Sequence, residues 1–186
     1  MPPGPDADAD EARAQLRLVG PRVILRSPVE ADRPALARIL AEPGVARWWH
    51  LGGAEQEVIE LFEDADHVPL IVELAGDVAG YLQFSEELDP DYRHASIDLF
   101  LATAAQGRGI GPEAIRVAAR YLFDVRGHHR ITIDPDATNE RAIRAYERVG
   151  FRRVGIMRDY ERDHAPDAET WHDGLLMDLL AGEIRG

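Results

Sequence analysis

Two residue types are missing from this chain: among its 186 residues there is no cysteine and no lysine. Without cysteine there can be no disulfide, no thiolate-held zinc and no thiol nucleophile on the protein. Without lysine there is no Schiff-base chemistry and no phosphate loop of the Walker type. All 21 basic residues are arginine. Apolar runs extend only a few residues, against roughly 20 for a helix that spans a bilayer, so no membrane segment is expected. Residues 1–8 have neither the basic nor the apolar region of a secretory signal, which points to the cytoplasm. Low apolar content predicts a disordered tail over residues 1–15, followed by one folded domain over 16–182.

Positive charge is scarce as well. The formal net charge of −13 leaves little basic footprint for nucleic acid, which is not an expected partner. The distribution says more than the total. Residues 48–92 hold 12 acids and no arginine, whereas residues 104–153 hold 10 arginines and 6 acids. Residues 154–186 turn acidic again, with 8 acids and 3 arginines. Solvated surface acids would account for any single residue, but less readily for a 45-residue stretch without one base. A bipartite protein, with a basic middle facing an anion and acidic flanks facing a cation, accounts for the whole pattern.

Apolar spacing predicts strands at Leu16–Val19 and Val23–Arg26, then a helix with Leu36, Ile39 and Leu40 on one face, stopped by Pro43-Gly44. A short helix at Val58–Phe62 and a hairpin of Leu70–Leu74 and Val78–Phe84 around Ala75-Gly76-Asp77 follow. Next come a strand at Ala95–Leu101, a glycine turn at 106–111 and a helix through Ile115, Ala118, Ala119 and Leu122. Ile131–Ile133 is a strand, Asn139–Val149 a helix closed by Gly150, and Phe151–Met157 and Thr170–Leu180 are strands. Antiparallel strands ahead of a strand–helix–strand–helix–strand unit give a mixed α/β class with one central sheet.

The richest segment is Ile97-Asp98-Leu99-Phe100-Leu101 followed by Gln106-Gly107-Arg108-Gly109-Ile110-Gly111. A strand feeds a glycine turn, and the turn opens a helix. Backbone N–H groups at such a helix start converge on one spot with the positive end of the dipole behind them, which suits a pyrophosphate. Arg108 would add charge. A dinucleotide turn of the Gly-x-Gly-x-x-Gly kind fits poorly, because Pro112 occupies the last glycine position. The adjacent pair His128-His129 would alternate across a strand and chelate one metal poorly, and no metal site is expected.

Gln106-x-x-Gly109-x-Gly111 resembles the acetyl-CoA loop of the GNAT acetyltransferase superfamily. Asn139-x-x-Ala142-x-x-x-Tyr146-x-x-x-Gly150-Phe151 resembles a second segment of that family. Trp48-Trp49, Gly80-Tyr81-Leu82-Gln83, Ile97-Asp98 and Thr132-Ile133-Asp134-Pro135 look most like the aminoglycoside 6′-N-acetyltransferases. The likeness spans about 23–160 and departs at Arg158–Thr170, which is longer and more charged. It implies a GNAT fold: a central mixed sheet splayed around acetyl-CoA, with helices on both faces. It also implies direct attack of an amine on the thioester, with no metal and no covalent enzyme intermediate. The implied partner is a small polycationic amine, and the implied assembly is a monomer or homodimer. Another small amine, a siderophore precursor, a protein N-terminus, or a non-catalytic acyl-CoA-binding domain are the alternatives.

For Asp98 the residues alone allow a partly exposed or arginine-paired carboxylate, or one that receives an ammonium; the resemblance makes it catalytic. Tyr146 would be core packing on spacing alone, and by resemblance the proton donor to the departing thiolate. Asn139 either caps its helix or holds the pantetheine arm. The cofactor contacts implied are Leu99, Phe100, Leu101, Gln106, Gly107, Arg108, Gly109, Ile110, Gly111, Asn139, Ala142 and Tyr146. The acceptor contacts implied are Trp49, Gln83, Asp98, Asp134 and Asp173. Trp49 could equally be core mass, and Asp134 a loop cap.

Overall fold

The structure, a computed structural model, describes residues 15–49, 53–162 and 169–186. Most of the expected tail lies outside them. Eight strands form one sheet in the order β1-β2-β3-β4-β5-β6-β8-β7. They are β1 (Arg17–Val19), β2 (Val23–Arg26), β3 (Val68–Leu74), β4 (Asp77–Glu87), β5 (His94–Leu101), β6 (Arg130–Ile133), β7 (Arg152–Arg162) and β8 (Trp171–Leu180). Helices α1 (Arg33–Leu40), α2 (Pro43–Ala46), α3 (Ala54–Glu63), α4 (Ile110–Arg120) and α5 (Glu140–Val149) complete the fold. Among the described residues no helix is long and apolar enough to cross a membrane.

Strand alternation sorts the side chains into two layers. Leu25, Leu70, Leu82, Ile97 and Ile131 pack with Ile115 of α4 and Ile143 of α5. Ile71, Tyr81 and Phe100 point to the other face, against Leu36 and Leu40 of α1 and Leu61 of α3. The helices therefore lie on both faces of a mixed sheet, as expected. The hairpin turn is two residues long, with Ala75 and Gly76 both at positive φ between paired Leu74 and Asp77. Pro43 ends the run of α1 and opens α2 as its first residue, so the expected stop is also a start. His128 and His129 precede β6 rather than lying in it; His128 is buried, with Nε2 2.7 Å from Glu86 Oε1.

β5 and β6 form the parallel step of the sheet, and they pair only at Ala95↔Ile131 and Ser96↔Thr132. Beyond those residues the strands diverge, and the sheet opens between Ile97–Leu101 and Ile133. On the other side β4 hugs β5 throughout, from Gly80↔Leu101 to Glu87↔His94. Gly80 is what allows that approach: a Cβ there would sit 2.3 Å from the Phe100 carbonyl oxygen. Gly80→Ala should lower stability by about 3 kcal/mol, at the upper end of the overpacking range, and chemical denaturation of the variant measures the loss.

Candidate active site

The glycine turn is built as its residue types require. Gly107 and Gly109 sit at φ +73° and +79°, in the region open to glycine, and Gly109 caps α4. The first N–H groups of α4 have no intrahelical partner, so those of Ile110 and Gly111 can meet an anion, and Pro112 adds none. Gln106 staples the turn to the end of β5, its Nε2 donating to Leu101 O at 2.7 Å. Its Oε1 accepts from Arg141 of α5. Glu113 anchors the far side of the turn, accepting from the backbone N–H of Arg22 at 2.6 Å and of Val23 at 3.1 Å.

The opening between β5 and β6 holds a cavity. Asp98, Leu99, Phe100 and Leu101 line one wall, and Ile133, Asp134 and Pro135 the other. Gln106, Gly107, Gly109 and Gly111 close one end, and Asn139, Ala142 and Tyr146 of the α5 segment the third side. Most of the residues implied for the cofactor therefore meet at one place. Two do not. The Ile110 side chain is buried in the core, leaving only its backbone available, and Arg108 folds back so that its guanidinium reaches Ala104 O at 3.4 Å, outside the lining. The arginines at this cavity are Arg141 and Arg148, which sequence reasoning passed over. Their spacing with Ala145 along one helix face was the legible signal.

Asn139 caps α5, its Oδ1 accepting from the Ala142 N–H at 3.2 Å, and it also lines the cavity. Tyr146 is buried and lines the same cavity, its ring 6.2 Å from that of Phe151. Burial, then the charges of Asp98 and Asp134, push its phenol well above the usual tyrosine range, so it carries its proton at neutral pH.

A second cavity, of about 740 Å³, joins the first at Trp48, Trp49, Asp98 and Asp134. That volume lies in the range of small-molecule sites. Its wall is acidic: Glu57 and Glu60 from α3 and Asp64 after it, Asp98, then Asp134 and Asp136 beyond β6, and Glu161 from β7. Among the described residues no arginine lines it; His67 does, with its Nδ1 2.7 Å from Asp64 Oδ2. Trp49 meets the Phe100 ring edge-on at 4.8 Å and donates its indole N–H to Glu57 Oε1 at 3.1 Å. It is thus both core mass and cavity wall.

Cross-strand register places Gln83 opposite Asp98 on the same face of the sheet. Gln83 Nε2 donates to Asp98 Oδ2 at 3.2 Å, and Tyr81 Oη lies 3.1 Å from Gln83 Oε1. No arginine pairs with Asp98 among the described residues. Burial, then the nearby Asp134 charge, raise its carboxyl from 3.8 to about 6, against the opposing pull of Gln83 and His67. A carboxylate with that pKa is ionised at neutral pH and still basic enough to accept a proton. Asp134 accepts from the Tyr160 hydroxyl. Asp173 turns away: its Oδ1 accepts from the Asp159 N–H at 2.9 Å, and it lines neither cavity. Tyr160 and Asp136 are at the site without any signal in the sequence.

A glycine turn that opens a helix beside a parallel pair of separating strands is a frame for an anion at the mouth of a cavity. Residues 28–158 match the acetyltransferase (GNAT) domain model. The protein is an acetyltransferase of the GNAT superfamily. It is 33% identical over 157 residues to an aminoglycoside N(6′)-acetyltransferase type 1 of Klebsiella pneumoniae, covering 73% of this chain and 76% of that one. It is also 27% identical over 113 residues to the spermidine N(1)-acetyltransferase of Escherichia coli, covering 58% and 60%. Among solved structures, AAC(6′)-Ib in complex with ribostamycin and coenzyme A superposes with a TM-score of 0.68 at 28% identity, over 86% of this chain and 93% of that one.

Proposed function

We propose that this protein acetylates the 6′-amine of aminoglycosides, using acetyl-CoA as donor and acting in the cytoplasm as an antibiotic-resistance enzyme. One observation carries the reading: the cavity that meets the donor site at Asp98 is walled by carboxylates from four separate segments and, among the described residues, by no arginine. Such a wall suits an acceptor with several ammonium groups, whose charges it concentrates and orients. The 33% identity to the Klebsiella pneumoniae enzyme supports the same acceptor.

Acetyl-CoA supplies an activated acetyl group as its thioester. The glycine turn, with the N–H groups of Ile110 and Gly111, would hold the pyrophosphate, while Arg141 and Arg148 add positive charge at that cavity. Leu99, where β5 leaves its parallel partner, turns its backbone N–H toward the gap and would polarise a carbonyl, while the Phe100 backbone faces Tyr81 of β4. Asp98 meets the acceptor as an ammonium and takes its proton, so that the amine can attack. Tyr146, protonated at neutral pH, donates to the departing thiolate.

Release of CoA thiol from acetyl-CoA, measured with kanamycin, tobramycin, apramycin, spermidine and peptide amines, tests the acceptor. Turnover with the aminoglycosides and at least about tenfold lower kcat/KM with the others is expected; a preference for spermidine or a peptide would replace the reading, and no thiol release would make the chain a binding domain. Salt gives an independent check. KM for a polycationic drug should climb more steeply with ionic strength than KM for a monoamine, because screening weakens several charge pairs at once. Equal slopes would mean that the acids only solvate the surface.

A further inference from the structure

The outer half of β7 is irregular for a reason that the acceptor cavity explains. Pairing with β8 shifts register between Met157 and Glu161. Asp159 within that shift has φ +48°, in the left-handed region that aspartate tolerates better than most residues. The distortion is held from the neighbouring strand, where Asp173 Oδ1 accepts the Asp159 N–H at 2.9 Å. Its consequence falls on the next residue. Tyr160 turns inward, lines the acidic cavity and donates its hydroxyl to Asp134 Oδ2. The ring lies over Gly174, where a Cβ would come within 2.7 Å of Tyr160 Cδ1. It remains 48% exposed, so it covers the cavity edge without filling a core. Bulges of this kind commonly re-aim a side chain beside an active site.

We propose that Tyr160 is a specificity-determining positioning residue, which fixes the Asp134 carboxylate at the junction of the two cavities so that it meets a second ammonium of the acceptor. The inference rests on the polycation reading above. A carboxylate with one oxygen held by a phenol presents the other in a set direction. Asp173 acts at one remove, through Asp159 and Tyr160, rather than touching the acceptor. An acceptor with a single ammonium engages Asp98 and has nothing to gain from Asp134.

Kanamycin and 6-amino-6-deoxyglucose, which carries the same kind of amine as its only charge, separate the two roles. Calorimetric titration of kanamycin into protein saturated with CoA, together with steady-state rates, would be run on wild type, Tyr160→Phe, Asp173→Ala and the double variant. Tyr160→Phe should weaken kanamycin binding and raise its KM by about 5- to 20-fold, part of what a hydrogen bond to a charged group is worth because the bond is also present without the drug. The KM for 6-amino-6-deoxyglucose should move by less than about twofold, and kanamycin kcat should change far less than its KM. Asp173→Ala should do the same to a smaller extent, and the double variant should be no worse than Tyr160→Phe, because both act along one chain of contacts. Unchanged kanamycin affinity in Tyr160→Phe, or equal losses for both amines, would overturn the proposal. Additive losses in the double variant would overturn the relay and make Asp173 a direct acceptor contact. Wild-type protein that binds kanamycin without releasing CoA thiol from acetyl-CoA would refute acetylation of the drug while leaving the binding comparison decisive; wild type that does not bind kanamycin overturns both.

Discussion

Asp98→Asn should lower kcat/KM for an aminoglycoside by at least about 100-fold, the usual scale for a lost proton acceptor, while acetyl-CoA affinity measured by calorimetry stays close to wild type. Asparagine keeps the shape and can still accept the Gln83 hydrogen bond that now reaches Oδ2 at 3.2 Å. It loses the negative charge that holds an ammonium and the basic site that takes its proton. The donor cavity is built on the glycine turn, and its arginines are elsewhere, so binding there should survive. Full activity in the variant would remove Asp98 from the chemistry.

The same residue ties activity to pH and to stability with opposite signs. With its carboxyl raised from 3.8 to about 6 by burial and by Asp134, Asp98 is protonated and inactive as a base in more acidic solution. Wild-type kcat/KM should therefore rise with pH through about 6 and then level. A carboxyl raised in the folded state favours the fold when protonated. That contribution is complete below 3.8, the ordinary value, and is lost as pH rises through about 6. At pH 8 the ionised group burdens the fold by up to about 3 kcal/mol, less whatever solvent screening removes. Asp98→Asn should accordingly melt higher than wild type at pH 8 and nearly equal to it at pH 4. An inactive variant with the reverse pattern would mean that Asp98 holds the fold rather than the acceptor.

Tyr146→Phe should cost about 100-fold in kcat with little change in acceptor KM, because a proton given to the leaving thiolate matters mainly in the transition state. The ring is buried and packs against Phe151, so phenylalanine preserves the packing. An acetyl thioester of a more acidic thiol needs less help in leaving. It should partly restore Tyr146→Phe and should leave Asp98→Asn unrepaired, since the defect there lies on the amine. Normal turnover by Tyr146→Phe with acetyl-CoA would return Tyr146 to a packing role.

Local spacing carried a large part of this protein. The strand ahead of the glycine turn, the helix after it and the Asn139–Gly150 helix were legible because their signals lie within a dozen residues: apolar periodicity, positive-φ glycines and a capping Asn. The outward reach of β7 to Arg162 was not. Nearly every residue of that strand is exposed on both faces, so no buried stripe marks it, and the sequence suggests an end at Met157. The charge blocks also came out only in part. Arg141 and Arg148 of the basic middle do line the donor cavity, yet Asp134 and Asp136 from the same block stand on the acidic wall.

The sequence by itself determined most of the elements and the glycine turn, because each rests on contacts between near neighbours in the chain; Asp98 and Tyr146 stood out only through the resemblance of their segments to a family. Only the tertiary structure decided which acids share a cavity, that Arg141 and Arg148 rather than Arg108 line the cavity beside the glycine turn, and that Asp173 accepts from the Asp159 N–H instead of lining a cavity. Those outcomes depend on where β5 parts from β6 and where β7 slips against β8. Register between strands distant in sequence is set by the packing of the whole sheet, and one shifted residue is enough to turn a side chain from solvent into the site.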